Sequence, residues 1–552
     1  MWLTMPRKLL ICLFIILMLY LASAESQSES LVQKDKTIYH ANEIMEQIRI
    51  GRDVFCNEAT IIGDLKLTGL NLSARNASRR IVNSSINIIN SDIKGDVDFG
   101  NGLFRKPLKF DGTTFSGPTV NFMRSKFDAD VSFSGAIFQC PVHFDGASIN
   151  GNIYFTKTDW LEKASLEDIS CNGDASFRDN DFRKGLNFKY AHLNGPVSFE
   201  DSRFNGETSF SNSIFEKDVS FLAVRFADLI ELKGVKFNGS ARFSRSRFIE
   251  IADFSDTQFS NDTAFFYANF ANSAKFSRAK FCGKTDFRKC GFDGLADFSS
   301  ASFLDVSRFD EAQFNKVVRF INSSFTKNVS FFEAYFDRDA SFEGARLAST
   351  LDLTNATFSK LALPWDTING HIVYNKATQL SLVNNYKNLG WTQDYRNSYY
   401  DYRDKERITE PFGYAGIWDT IDWIYWRYGT NKFLPIVYMS IFGLISALIF
   451  ASIYYCLVRF KWGKVIRKSG KSGCEKCPWA KISGEIKSEL SYKEALIFSR
   501  RILLLLNKPD DIEIIQAHID KIIWIERVLF GFLAANFMNY LLNEVQIHLK
   551  PP

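Results

Sequence analysis

From about Val82 to Phe358 the large apolar residues keep a regular beat. Phe199, Phe204, Phe210, Phe215, Phe221 and Phe226 stand five, six, five, six and five residues apart, and the alternation continues through Phe254, Phe276, Phe287 and Phe298 to Leu353 and Phe358. A helix would need apolar spacings of three and four. Two residues before each large position sits a small or β-branched one, for example Val197, Ser202, Ala274, Ala279, Cys290 and Ala296. On extended backbone, residues i and i−2 point to the same side. Each unit therefore sends one bulky and one small side chain inward, and the chain must turn before the next. Four units make a square coil of 22 residues. Coils hydrogen-bonded at about 4.8 Å would turn roughly 260 residues of clean repeat into about twelve coils, a rod on the order of 55 Å long with rings stacked along its axis.

Segments such as ADFSSASFLDVSRF and AKFSRAKFCGKTDF resemble the pentapeptide-repeat family. The resemblance covers more than half of the chain and implies a mainly β fold, a right-handed quadrilateral β-helix with the central Phe or Leu and the preceding Ala or Ser inside. It implies little about function. The extra residue in every second unit departs from a strict five-residue period and leaves the turn types open. Some members of the family imitate DNA in shape and charge and bind gyrase, a role that an exported chain without strong acidity does not fit.

Taken in order, residues 1–24 read as a secretory signal: Arg7 and Lys8, an apolar run from Leu9 to Leu21, and Ala22-Ser23-Ala24 with cleavage after Ala24. An uncleaved anchor is the alternative. Residues 25–55 form an N-terminal cap, with Ile44, Met45 and Ile48 at helical spacing to cover the open edge of the first coil. The β-helix occupies 56–360, entering at Cys56, Ile61, Leu67 and Leu72, with SARNASRR as an outward loop and a smaller disturbance near Trp160 to Cys171. Residues 361–432 hold a helical cap with Leu382, Tyr386, Leu389, Tyr395, Tyr399 and Tyr402 on its apolar face. There follow Trp418, Trp423, Tyr425, Trp426 and Tyr428, read as an interfacial segment or as a packed aromatic cap.

Residues 433–458 are uncharged and long enough to span a bilayer, which makes them the first transmembrane helix. The basic loop 459–521 then faces the cytoplasm by the positive-inside rule, so the solenoid lies outside. Residues 522–545 form a second transmembrane helix despite Glu526, Arg527, Asn536 and Asn539; a surface or re-entrant helix is the alternative. This C-terminal third also resembles the two-transmembrane potassium channel pore, with KEALIFSRRILLLLN in the place of the pore helix. A potassium filter needs a glycine-containing carbonyl loop, and the matching LLLNKPDDIE has no glycine.

Composition changes this picture little. The chain is 46% hydrophobic and 15% aromatic with 53 Phe, as a folded chain should be, and a net charge of +5 over 552 residues points to no nucleic acid partner. Cys56, Cys140, Cys171, Cys282 and Cys290 are odd in number and read as small core residues rather than a disulfide framework. Asn71, Asn76, Asn83, Asn238, Asn261, Asn322, Asn328 and Asn355 open N-x-S/T sequons off the inward positions and are candidate glycosylation acceptors. Cys474 and Cys477 lack further metal ligands, and the basic stretch from Lys275 to Lys289 forms no stripe, because Ser300 and Ser302 stand above Arg278 and Lys280. No catalytic motif, metal site or cofactor site is legible, so an enzyme is not expected. The expectation is a membrane-anchored, non-catalytic solenoid of the cell surface that binds an envelope or protein partner and pairs with copies of itself through the transmembrane helices. The alternative is a channel-like or signal-transducing protein.

Overall fold

The structure, a computed structural model, describes residues 36–70, 79–409, 414–430 and 433–459, with a few isolated positions between 465 and 535. It divides into two units, Met1–Thr378 and Gln379–Pro552.

The first unit is a parallel β-solenoid with four walls. Short strands recur once per coil on each wall: in one coil wall 1 holds Val197–Ser198, wall 2 Arg203–Phe204, wall 3 Thr208–Ser209 and wall 4 Ile214–Phe215, and wall 1 alone carries 14 strands in sequence order. At a strand separation of about 4.8 Å this makes a rod about 60 Å long. Val131 pairs with Ile153, then Ala175, Val197, Val219 and Ala241, each 22 residues on. The first coil is longer: Val54 pairs with Ile86, 32 residues away, and the extra length includes residues 71–78, which lie outside the described set.

The five-six alternation is a property of the corners. After each ring on walls 1 and 3 the chain makes a tight turn, with Ser202 N–H donating to Phe199 O at 3.2 Å and Ser213 N–H to Phe210 O at 3.1 Å. The third residue of each turn is left-handed: Asp201, Asn212, Ala223 and Gly234 have φ of 58°, 61°, 57° and 69°. This sequence of positive φ continues every eleven residues to Asn355. The six-residue steps, as from Phe204 to Phe210, form wider corners that need no such residue, although Gly185, in the step from Phe182 to Phe188, has a φ of 95°. Two tight and two wide corners therefore close each 22-residue coil; between Phe115 and Phe122 the wide corner takes one residue more, and the coil there has 23.

At the tight corners an inward hydroxyl ties neighbouring coils together. Ser202 Oγ donates to Phe177 O at 2.7 Å and accepts from Asn180 N at 3.0 Å; Ser213 does the same with Phe188 O at 2.7 Å and Ala191 N at 3.0 Å. Cys290 substitutes for a serine here, its Sγ donating to Phe265 O at 2.8 Å. These buried groups need partners, because an unmade hydrogen bond in the interior costs about 1–3 kcal/mol.

Rings fill the axis. Phe199, Phe204, Phe210, Phe215, Phe221, Phe226, Phe254, Phe276, Phe287 and Phe298 are all fully buried. Along wall 1, Phe199, Phe221, Phe243, Phe265 and Phe287 stack with centroids 4.7 to 4.9 Å apart and planes within 7° of parallel. Wall 3 stacks Phe254, Phe276 and Phe298 at 4.8 Å. The two columns meet edge to face: Phe265 lies at 86° to both Phe254 and Phe276, 5.4 and 5.5 Å away. Both geometries suit the ring quadrupole. No disturbance occurs between Trp160 and Cys171. Trp160 stacks between Phe138 and Phe182 at 4.6 and 5.2 Å, while Leu166 and Cys171 occupy the next two inward positions, fully buried. A ring larger than Phe is matched by smaller neighbours in the same coil, which conserves core volume.

Both ends of the stack are covered within this unit. Thr37–His40 adds a strand beside Ala59–Ile62, and helix α1, Ala41–Arg49, buries Ala41, Ile44, Met45 and Ile48. At the other end, helix α2, Trp365–Ile368, buries Trp365 and Ile368. Beyond it Ile372 bridges to Leu351 of wall 1. Thr378 Oγ1 reaches Leu353 O at 3.3 Å over the same 25-residue offset as Ser202 to Phe177.

Helix α3, Lys376–Leu389, carries the boundary between the units. Helices α4, Thr392–Thr409, α5, Tyr414–Trp426, and α6, Leu434–Arg459, follow. Among the described residues no helix is long and apolar enough to cross a membrane, so the fold does not establish the two expected transmembrane helices. Helix α6 is 26 residues long, but its side chains at 435, 436, 439, 442, 447, 454 and 456–459 lie outside the described set, as does most of 522–545.

Two predictions test the corner and the column. Ala223→Gly should raise stability by about 1 kcal/mol, because Ala is disfavoured in the left-handed region; the melting temperature reads this directly. Phe254→Asp should cost about 4 kcal/mol or more by burying an unpaired carboxylate. Asp256→Gly, on the outward left-handed position of the next turn, should melt close to the parent. Equal melting temperatures for Phe254→Asp and Asp256→Gly would contradict the register.

Candidate functional site: a basic line on the outer wall

With the inward positions committed to packing, function has to come from the side chains that point out. On a parallel solenoid each outward residue stands beside the one 22 positions later, so the sequence writes columns on each wall. On wall 4 the column is an amide ladder: Asn150 donates to Asp128 at 3.0 Å, Asn172 to Asn150 at 3.2 Å and Asn194 to Asn172 at 2.7 Å. Asn238 continues it higher up, donating to Glu216 at 2.9 Å. Along the corner between walls 3 and 4, Arg278 pairs with Asp256 at 2.6 Å, and the Arg278 hydrogen bond holds the Asp256 carboxyl below the usual carboxylate range. Lys289 meets Glu311 at 3.3 Å on the opposite corner. Charge on these columns is mostly matched one coil away.

Wall 2 is different. Arg203, Arg225 and Arg247 are direct register partners on three successive strands. All three are exposed. Asp181 stands below them and Asn269 above. Arg225 Nη1 donates to Asn205 Oδ1 at 3.2 Å; among the described residues Arg203 and Arg247 have neither an ion pair nor a side-chain hydrogen bond. Arg242 and Arg245, exposed on wall 1 and at its corner, are equally unpaired. One coil above Arg245 stands Tyr267, 51% exposed, with Phe266 edge-on at 4.6 Å and Lys289 over its ring at 5.5 Å. This basic line was missed in the sequence, where its residues are 22 apart. The linear run from Lys275 to Lys289 drew attention instead, and the structure spreads that run over several walls.

A family model for pentapeptide repeats, with nine copies, matches residues 133–179, 181–225 and 223–269. The chain carries a pentapeptide-repeat solenoid. The five-six beat of this pentapeptide-repeat solenoid keeps the family's inward pair and adds one residue at each wide corner. No curated protein and no solved structure matches the chain.

The other candidate residues fall as follows. Asn83, Asn238, Asn261, Asn322, Asn328 and Asn355 are exposed on the solenoid. Asn322 and Asn355 hold left-handed corners, with φ of 56° and 57°. Asn71, Asn76 and Ala24 lie outside the described residues, together with Cys474, Cys477 and nearly all of the pore-like segment. Cys56, Cys140, Cys171, Cys282 and Cys290 are free thiols. Burial pushes Cys140 and Cys171 up to about 11 and holds Cys290 well above the usual thiol range, so these are packing residues and poor nucleophiles. Among the described residues no group of His, Cys, Asp or Glu side chains is placed to hold a metal ion.

In the second unit Trp423 and Tyr428 pack on helix α4, while the side chains of Trp418, Tyr425 and Trp426 lie outside the described set. Trp423 Nε1 donates to Tyr400 Oη at 2.9 Å and lies under the Arg407 guanidinium at 4.4 Å. Arg403 pairs with Asp419, which also accepts from Tyr428 Oη at 2.9 Å.

Directly opposed like charges destabilise a sheet. Arg225→Gln should therefore raise the melting temperature at low salt, with a gain that shrinks as screening increases. A lower melting temperature at low salt would mean that Arg225 stabilises the wall.

Proposed function

We propose that the protein is a cell-surface binding rod, non-catalytic, held at the membrane by helix α6 with its solenoid outside and the basic loop after Arg459 in the cytoplasm. The observation that carries the anchor is the surface of α6. Val437, Ile441, Leu444, Ile445, Leu448 and Ile449 are each at least 40% exposed. An apolar surface of this kind on a helix needs a covering medium. A 26-residue helix is about 39 Å long at 1.5 Å per residue, more than the roughly 30 Å of bilayer hydrocarbon.

The side assignment draws on two further features: the apolar run Leu9–Leu21 behind Arg7 and Lys8, and the concentration of Lys and Arg from Arg459 to Lys471. The exposed sequon asparagines fit the same side. The solenoid supplies a stiff face on which outward side chains repeat at strand separation, a geometry suited to extended or repetitive partners. Segments 433–458 and 522–545 would also offer a route to self-association within the membrane.

Labelling of intact cells with a membrane-impermeant amine reagent tests the orientation. Exposed solenoid lysines such as Lys236 and Lys280 should react in intact cells, and lysines between 461 and 471 only after permeabilisation. Solenoid lysines that react only after permeabilisation would contradict it.

A further inference from the structure

We propose that the wall-2 arginine line binds a linear acidic polysaccharide, laid along the rod with its carboxylates engaging Arg203, Arg225 and Arg247. The line is straight because its members are register partners on adjacent parallel strands, about 4.8 Å apart. Guanidinium groups recognise carboxylates through paired parallel hydrogen bonds, and a chain with one carboxylate per sugar carries these groups along its whole length. The wall beside the line is low. The next outward residues, Asn205, Ala227 and Ile249, are short or half-buried, so a chain can lie close to the strands.

Three observations set this line apart from the rest of the rod. Among the described residues none of the three arginines is ion-paired, unlike Arg278 with Asp256, Lys289 with Glu311 and Arg178 with Glu200; Asp181, the register partner below Arg203, pairs with Arg183 at 3.3 Å and accepts from Asn205 at 2.6 Å. Unpaired Arg242 and Arg245 widen the positive field across the adjoining corner. Tyr267, half-exposed one coil above Arg245, offers an edge of aromatic surface beside it. The acids nearest in sequence, Asp201, Glu207, Asp228 and Glu250, stand at the two corners that bound the wall; within the column itself Asp181 ends the arginine line below Arg203. A nucleic-acid duplex presents phosphates on a wound path, which fits a straight row of three guanidiniums poorly. The choice of a sugar polymer also rests on the extracytoplasmic reading of the rod; the geometry of the line does not.

The test is calorimetric titration of the detergent-solubilised full chain with polygalacturonate, a linear polymer with one carboxylate per sugar. Neutral dextran and a single-stranded DNA oligomer serve as comparators. Polygalacturonate should bind, more weakly as salt rises, and dextran should not. R203Q/R225Q/R247Q should lower the affinity at least about tenfold, a loss of about 1.4 kcal/mol, while R278Q leaves it unchanged. Circular dichroism should show the triple variant folded, and R225Q alone should give an intermediate loss. No binding by the parent, equal binding by the triple variant, or tighter binding of single-stranded DNA would each overturn the proposal. Purified protein is used throughout, so failure here leaves the labelling result on sidedness intact, and a cytoplasmic solenoid in that experiment leaves the titration standing.

Discussion

The structure depends on closing a coil of 22 residues so that each ring lands on the ring below it. Closure comes from alternating two kinds of corner. The left-handed residue after walls 1 and 3 turns the chain in five residues, and the wider corners after walls 2 and 4 use six. An inserted residue is absorbed at a wide corner: the step from Phe115 to Phe122 takes seven residues, the coil there runs to 23, and the rings stay in their columns. The tight corner is conformationally costly wherever its third residue is not glycine, yet Ala223, Arg245, Tyr267 and Lys289 all adopt it. Coil-to-coil hydrogen bonds and the ring columns over-determine the backbone there.

Once that constraint is met, the division of labour follows. Inward positions lose freedom to vary: rings stack in parallel along a wall and edge to face across the axis, and small residues behind them carry the hydroxyl ties. Outward positions are released, and the repeat writes them as straight columns. Most of these columns neutralise themselves through ladders of amides or alternating charges. Arg203, Arg225 and Arg247 do not, which is why the outer face of wall 2, and not any cavity or cluster of nucleophiles, is where recognition is assigned.

Much of the solenoid was legible before any coordinates, because its period is short and its inward pair is chemically distinct. Phe199 with Val197 and Phe204 with Ser202 are enough to set the register. The corners were less legible, since the left-handed position tolerates Asp, Asn, Ala, Arg, Tyr and Lys and so leaves no signature in residue type. Trp160 and Cys171 looked like a disturbance because periodicity counts residues and not volume; in the coil a large ring and a small thiol compensate. The arginine line was hidden for the opposite reason. Its members are far apart in sequence and adjacent only after the chain is wound, whereas Lys275 to Lys289 are close in sequence and are dispersed by winding.

The most direct measurement of the account is cysteine cross-linking between outward positions. Ser198 and Ser220 are register partners on wall 1, at a Cα separation within the range that a disulfide bridges, whereas Ser209 lies on wall 3. With cysteines at 198 and 220, mild oxidation should give an intramolecular disulfide; with cysteines at 198 and 209 it should not. Ready closure of the 198–209 pair, or failure of 198–220 to close, would contradict a 22-residue coil with rings stacked along its axis.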